Sequence, residues 1–307
     1  MSLKGSRQDN FFFCLIEYFP DSDRWFLKSV LRVKDEQGIT SGDEAVGRWL
    51  ERFGTEHLVV DFPLSKPACQ DCTLKCPGMQ ECPDKSVVDV QKRILKLLRE
   101  DQKNNQDQPK HYERERNRDD EFNAQKDMFQ KSSDQHLLSR SFKRRLKKGY
   151  LPYWNRPLDL WVWCKYYDQL LDLFNISFDS FGTTSLMVLS RMSYLKHQFP
   201  AKLKLYESNI NILLIELLRN KIIQRRDLIS LSDLEESAVA RLDIIKKIEK
   251  ALNIFIYDHD LELVVSHPRA FESFLLAIVG QRMLQQKIYP LPTWARPDES
   301  RFLVPSF

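Results

Sequence analysis

The sequence predicts an α/β protein with a mixed sheet flanked by helices. Three observations carry this: an aromatic hairpin near the N-terminus, a β-branched strand that follows a short amphipathic helix, and a remainder dominated by helical periodicity. Hydrophobic residues make up 42% of the 307, so a sizeable core is available.

The elements follow in order. "FFFCLIEYF", residues 11–19, reads as a buried strand, "PDSD" as a turn and "RWFLKSVLRV" as the returning strand of a hairpin. "SGDEAVGRWLERFG" starts a helix at Ser41 or Asp43, repeats Val46, Trp49, Leu50 and Phe53 at helical spacing, and stops at Gly54. "HLVVDFPL" is a third strand, closed by Pro63. "SVVDVQKRILKLLRED" places Val87, Val90, Ile94, Leu97 and Leu98 on one helical face. Residues 100–149 are nearly all polar, carry charges of both signs and end in a basic run, so they read as a charged, partly disordered insertion. Order resumes at "LPYWNRPLDLWVWCKYYDQLLDLF", which leads into helix. A helix over "FGTTSLMVLSRMSYLKHQF", a short strand "LKLYESN" and a buried helix "INILLIELLRNKI" follow. "SLSDLEESAVARLDIIKKIEKAL" opens with a capping-box pattern at Ser230 or Ser232, and "IFIYDHDLELVV" reads as a strand or extended segment. "PRAFESFLLAIVGQRML" is a closing apolar helix.

The setting is bounded by composition. The net charge of +4 permits nucleic-acid binding without demanding it. "MSLKGSRQDN" shows neither a long apolar run nor a small-residue cleavage site, and no apolar stretch is long enough to span a bilayer. A reducing cytoplasm is the expected location.

Two constellations carry chemistry. Four acids interrupt apolar runs at or near element ends: Glu17, Asp61, Glu207 and Glu272. A buried carboxylate needs a partner, and a pair of divalent cations is one such partner; facing water or pairing with a nearby Arg is the structural alternative. The second constellation is Cys69, Cys72, Cys76 and Cys82, spaced C-x2-C-x3-C-x5-C in a polar loop. Four thiolates so close in sequence suit one tetrahedral zinc, with a four-thiolate iron–sulfur cluster as the alternative. Cys14 and Cys164 sit in apolar runs and read as core. "KRRLKK", residues 143–148, reads either as a phosphate-contacting patch or as a solvated helix face. Arg156, set among aromatic residues, is a candidate for reaching into a cleft to hold a phosphate. No P-loop, G-x-G-x-x-G or G-x-S-x-G occurs.

Several short motifs share the order of a domain-of-unknown-function family of predicted RNase H-like nucleases, over nearly the whole chain outside the charged insertion. "VVDFPLSKP" resembles that family's Asp-x-Pro-Leu strand end, and "CQDCTLKCPGMQECPDKSVVD" the cysteine-rich segment of some members. "LPYWNRPLDLWVW" resembles its Tyr-x-x-Arg-Pro segment, "LKLYESN" its strand ending in Glu, and "AFESFLLAIVGQR" its closing helix. The family's first strand usually carries Gly-x-Asp, where "CLIEYF" supplies Glu17; Glu272-Ser273 stands for Asp and a small residue, and Asn209 for a common Pro.

The resemblance implies one RNase H-like domain over 1–307, with a cysteine-rich loop at 68–83 and the insertion at 100–149. It also implies a nuclease whose Glu17, Asp61, Glu207 and Glu272 hold Mg2+ or Mn2+, with Arg156 assisting and nucleic acid as substrate. The alternative is a catalytically degenerate relative that binds nucleic acid or a protein, because Glu lengthens the arm that Asp would offer and two-metal sites tolerate little displacement.

Overall fold

A computed structural model describes residues 1, 12–36, 42–107, 109–110, 132–135, 138–176, 186–233 and 235–307. In chain order the elements are β1 (Phe12–Phe19), β2 (Arg24–Arg32), α1 (Gly42–Arg52), β3 (His57–Val60), α2 (Lys85–Asp107), α3 (Arg140–Lys148), α4 (Pro157–Phe174), α5 (Leu186–Lys196), β4 (Lys204–Glu207), α6 (Ile210–Arg219), α7 (Arg225–Ser230), α8 (Ser237–Leu252), β5 (Ile254–Phe255), α9 (Asp258–Ser266) and α10 (Pro268–Leu284). The fold is mixed α/β, and the chain divides into two compact units. The first is Met1–Pro63, Thr184–Tyr289 and Arg301–Phe307; the second is Leu64–Thr183 and Pro290–Ser300.

In the first unit β1 and β2 form the expected antiparallel hairpin, from Phe12 opposite Arg32 to Phe19 opposite Arg24, with an irregularity between Leu15 and Ile16. Its turn closes through Asp23 in the left-handed region, held by Tyr18 Oη at 2.7 Å. β5 adds in parallel to β2, giving the order β1-β2-β5. β3 and β4 form a separate parallel pair, Val60 lying opposite Glu207. Helix α10 packs on both β1 and β3. It buries Phe271, Phe274, Leu275, Leu276, Ile278 and Val279, and two of its buried polar side chains donate to backbone. Ser273 Oγ donates to the Phe12 carbonyl at 2.8 Å, and Gln281 Nε2 to that of Leu252 at 3.2 Å.

In the second unit α4 is apolar nearly all round, as a fully buried helix must be. α2 packs on it, burying the expected Val87, Val90, Ile94 and Leu97. Phe142 of α3 stacks on Tyr167 at 4.8 Å, and the Arg145 guanidinium lies 4.5 Å from the Trp163 ring centroid.

The local expectations meet several departures. α2 runs on to Asp107, into the segment expected to be an insertion, and Asp101 is tied to Lys143 at 2.9 Å. Residues 108, 111–131 and 136–137 of that insertion lie outside the described residues, as do 181–185 of the expected helix from 181. "YDHDLELVV" is helical: β5 ends at Phe255, Tyr257 is the extended cap, Asp258 and Asp260 occupy the first turn, and Val264 is buried. The β-branched pair Val264-Val265 favours a strand, but acids at a helix N-terminus win here. The capping pattern before α8 is displaced too. Asp233 Oδ1 accepts from the amides of Glu235 and Glu236, rather than Ser230 or Ser232 capping the helix. No single helix among the described residues is long and apolar enough to cross a membrane.

Gly280 sits inside α10, where a Cβ would meet Val59 Cγ2 at 3.6 Å, an ordinary contact. Gly280→Ala is therefore expected to raise stability by about 0.5–1 kcal/mol, because it removes backbone freedom from the unfolded chain. Gly280→Phe, which has no room against β3, should lower it. Chemical denaturation of the two variants checks both signs.

Candidate functional site

The four acids all fall in the first unit, on different supports. Asp61 directly follows β3, whose last residue Val60 faces Glu207 at the end of β4. Glu207 is 5% exposed, and its backbone continues the pairing: its amide donates to Arg301 at 2.9 Å and its carbonyl accepts from Leu303 at 2.7 Å. The Met1 amino group donates to the Val59 carbonyl at 2.8 Å. Burial lowers that amine to about 6, against the opposing pull of Asp61 and Cys14. Asp61 and Glu207 thus end adjacent parallel strands.

Glu17 and Glu272 are engaged elsewhere. Glu17, opposite Phe26, is ion-paired with Lys28 at 2.5 Å, with both side chains about four-tenths exposed. Glu272 is ion-paired with Arg269 one helical turn earlier, at 2.5 Å. Its neighbour Ser273 bonds Phe12, at the start of β1. Five residues of strand, about 17 Å, separate Phe12 from Glu17. The two acids therefore belong to opposite ends of β1. Among the described residues no three His, Cys, Asp or Glu side chains stand close enough together to hold a metal ion.

The thiols lie in the second unit. Cys69 and Cys82 are partly buried, Cys72 and Cys76 are exposed, and all are free. The loop is tied down at its edges: Cys69 N donates to Pro152 O at 3.0 Å, Arg296 reaches Lys66 O at 2.9 Å, and Gln91 reaches Met79 O at 2.5 Å. Asp84 caps α2 through the Ser86 and Val87 amides, and the Ser86 hydroxyl together with those amides holds its carboxyl below the usual range. The Cys69 thiol is pushed up, first by burial and then by Cys82, Cys72, Cys76 and Asp84. The other three thiols are thus within electrostatic reach of Cys69, although the four do not stand close enough together to hold a metal. Cys14 and Cys164 are buried, and burial pushes each up to about 12.

Arg156 does not point into a cleft. It is 3% exposed and caps α4, its guanidinium on Asp159 at 3.1 Å and on Ser65 Oγ at 3.1 Å. Beside it Glu299 accepts from the amides of Arg296 at 2.8 Å and Leu158 at 3.3 Å, so it caps α4 from a distant part of the chain. Nothing in "RPDES" marks Glu299 as buried; only the tertiary fold does so.

The basic run becomes α3. Ser139 Oγ accepts from the Phe142 amide at 3.1 Å, and Gly149, at φ 85, ends the helix. Phe142, Arg145 and Leu146 turn inward. Arg140, Lys143, Arg144, Lys147 and Lys148 line a pocket of about 520 Å3 whose lining side chains are all basic. Sequence reading found most of this ridge and missed Arg140, one turn before the basic run.

No protein-family model, curated protein or solved structure matches this chain.

The buried Glu299 generates a pH dependence. Burial raises its carboxyl from the ordinary 4.5 to about 7, partly offset by the two amides and Arg156. The folded state therefore favours the proton. Its stability contribution is fully present below about 4.5 and is lost as pH rises through 7, a difference of about 3 kcal/mol. Glu299→Gln should match the parent near pH 4 and be more stable at pH 8, as measured by urea unfolding at both pH values.

Proposed function

We propose that this chain is a nucleic-acid-binding protein of RNase H-like type whose carboxylate set no longer forms a two-metal nuclease centre. The observation that carries the reading is the α3 ridge. Arg140 and Arg144, Lys143 and Lys147, and Arg144 and Lys148 are like-charged pairs four residues apart, each mildly destabilising to the helix. Lys147 and Lys148 suit the negative end of the helix dipole, but Arg140 opposes its positive end. A polyanion lying along the ridge relieves both penalties, and phosphates are the anions that such a row of cations fits. The RNase H-like part of the reading draws on the leading hairpin, the parallel pair ended by Asp61 and Glu207, and a closing helix packed on β1 and β3. The degenerate part draws on Glu17 and Glu272, each committed to its own cation. Asp61 beside Glu207 favours a second reading, residual metal-dependent phosphodiester hydrolysis.

The same reading includes one structural zinc on Cys69, Cys72, Cys76 and Cys82. The pull of three neighbouring thiols on Cys69 supports it, since a divalent cation among them stabilises the thiolates that otherwise repel one another. Free thiols suit a reducing compartment such as the cytoplasm.

Two measurements test this. Fluorescence anisotropy with labelled oligonucleotides should show binding that weakens with salt. The triple variant Arg144→Glu, Lys147→Glu, Lys148→Glu should bind at least tenfold more weakly, with a shallower salt slope. No cleavage is expected with Mg2+ or Mn2+; cleavage abolished by Asp61→Asn would establish the second reading instead.

Metal analysis of the purified protein should give about one zinc per chain and no visible absorbance, whereas an iron–sulfur cluster is coloured. Because a structural site contributes folding free energy, Cys72→Ser should lose the metal and lower the melting temperature. A metal-free parent with an unchanged melting temperature in the variant would remove zinc from the reading.

A further inference from the structure

One face of the β1-β2-β5 sheet carries a row of aromatic rings. Phe19 meets Phe26 edge-on at 4.9 Å, Phe26 meets Phe255 at 5.5 Å, and Phe255 meets Tyr257 edge-on at 4.9 Å. The row arises from strand geometry. Residues opposite one another across a ladder share a face, as do residues two apart along a strand. Phe19 lies opposite Arg24 and Glu17 opposite Phe26, so Arg24, Phe26 and Lys28 of β2 line the same face; Phe255 lies opposite Phe26 in β5. The two ends of the row are open: Phe19 is 44% and Tyr257 56% exposed. Their edge-on contacts hold the rings at fixed angles to the surface. The Arg24 guanidinium lies 5.2 Å over the Phe255 ring, and its Nε makes no hydrogen bond among the described residues.

A contiguous row of half-exposed aromatic side chains is costly for a surface with no partner. What it fits is narrowed by the charges set into it. An apolar helix or peptide would have to desolvate Arg24 and the Lys28–Glu17 pair to reach the rings. Unpaired bases would not, because they stack on exposed rings and guanidinium planes while their phosphates stay in water near the cations. Duplex bases are stacked on one another and offer no faces to such a surface.

We infer that the row Phe19–Phe26–Phe255–Tyr257, with Arg24, is a stacking platform for the bases of single-stranded nucleic acid. The inference rests on the nucleic-acid reading above and adds strand state to it. The α3 ridge acts through charge and discriminates little between strand states, whereas the platform binds only where bases are unpaired.

The test uses the full chain with labelled oligo-dT and oligo-rU and with a duplex of equal length, by anisotropy at low and moderate salt. Phe19→Ala and Tyr257→Ala alter exposed rings, and circular dichroism verifies that each variant is folded. Each should weaken single-strand binding about tenfold, with the salt slope and the duplex affinity unchanged, because stacking releases no counterions. Phe19→Leu should lose as much as Phe19→Ala, while Tyr257→Trp should retain binding. If both alanine variants bind like the parent while the ridge variant is weakened, the platform is overturned and the nucleic-acid reading stands. If ring variants lose single-strand binding and the ridge variant does not, the platform stands and the ridge falls. If the parent binds neither strand form, both fall. A concentration-dependent dimer in sedimentation that the ring substitutions dissolve would make the face a contact between two copies and overturn the stacking assignment.

Discussion

The first unit depends on a single demand: α10 must be buried on nearly every side while its buried side-chain donors find acceptors. Its sequence is too apolar to lie on a surface, so strands have to cover it. That is why β1 and β3, which share no ladder, both pack against it. The few polar side chains it carries inside are the fasteners. Ser273 takes a carbonyl at the first residue of β1, Gln281 takes one at the end of α8, and Arg282 takes Ser306 O near the C-terminus at 2.9 Å. Each bond satisfies a buried donor that would otherwise cost about 1–3 kcal/mol, so each also fixes which segment sits where.

That logic explains what was legible in the sequence. The hairpin, the strands before Asp61 and up to Glu207, and the faces of α1 and α2 all follow from local periodicity, and the structure has them. Less legible were elements in which two local signals compete. Val264-Val265 favours a strand while Asp258 and Asp260 favour a helix start, and the helix forms. Polar residues after Leu98 suggest an insertion, but α2 runs on to Asp107, with the Asp101–Lys143 pair holding its added turns. Interior charge was the least legible feature. Nothing local distinguishes Arg156, sealed against Asp159 and Ser65, from an arginine that reaches into a cleft. Burial is a property of the whole fold, and a buried ion pair can be recognised only once its partner is placed.

The carboxylates make the same point for function. Read along the chain, Glu17, Asp61, Glu207 and Glu272 look alike: acids in apolar runs. Three-dimensional placement sorts them. Asp61 and Glu207 end neighbouring parallel strands, where backbone hydrogen bonding brings distant residues together. Glu272 meets a cation three residues earlier in sequence, and Glu17 meets Lys28 across the hairpin. A local ion pair needs little chain ordering to form, and it removes the repulsion that would otherwise call for a metal. The longer Glu side chain reaches such partners readily.

Charge balance raises a last question, because a protein with 47 basic and 43 acidic residues has little long-range attraction for a polyanion. The answer lies in where the acids are used. Asp84 holds the first turn of α2, Asp159 and Glu299 that of α4, Asp227 that of α7, and Asp233 the residues leading into α8. Each accepts backbone N–H groups at a helix N-terminus, where negative charge is stabilised by about 0.3–1 kcal/mol or more. α3 is capped differently, by the neutral Ser139, and has no acid in its first turn. Screening over about 8 Å at physiological ionic strength means that a ligand responds to such local imbalance and not to the total. A near-neutral chain therefore presents a positive ridge because many of its acids cap other helices, while α3, built almost entirely of cations and apolar residues, is capped by a hydroxyl and meets an acid at Lys143, through Asp101.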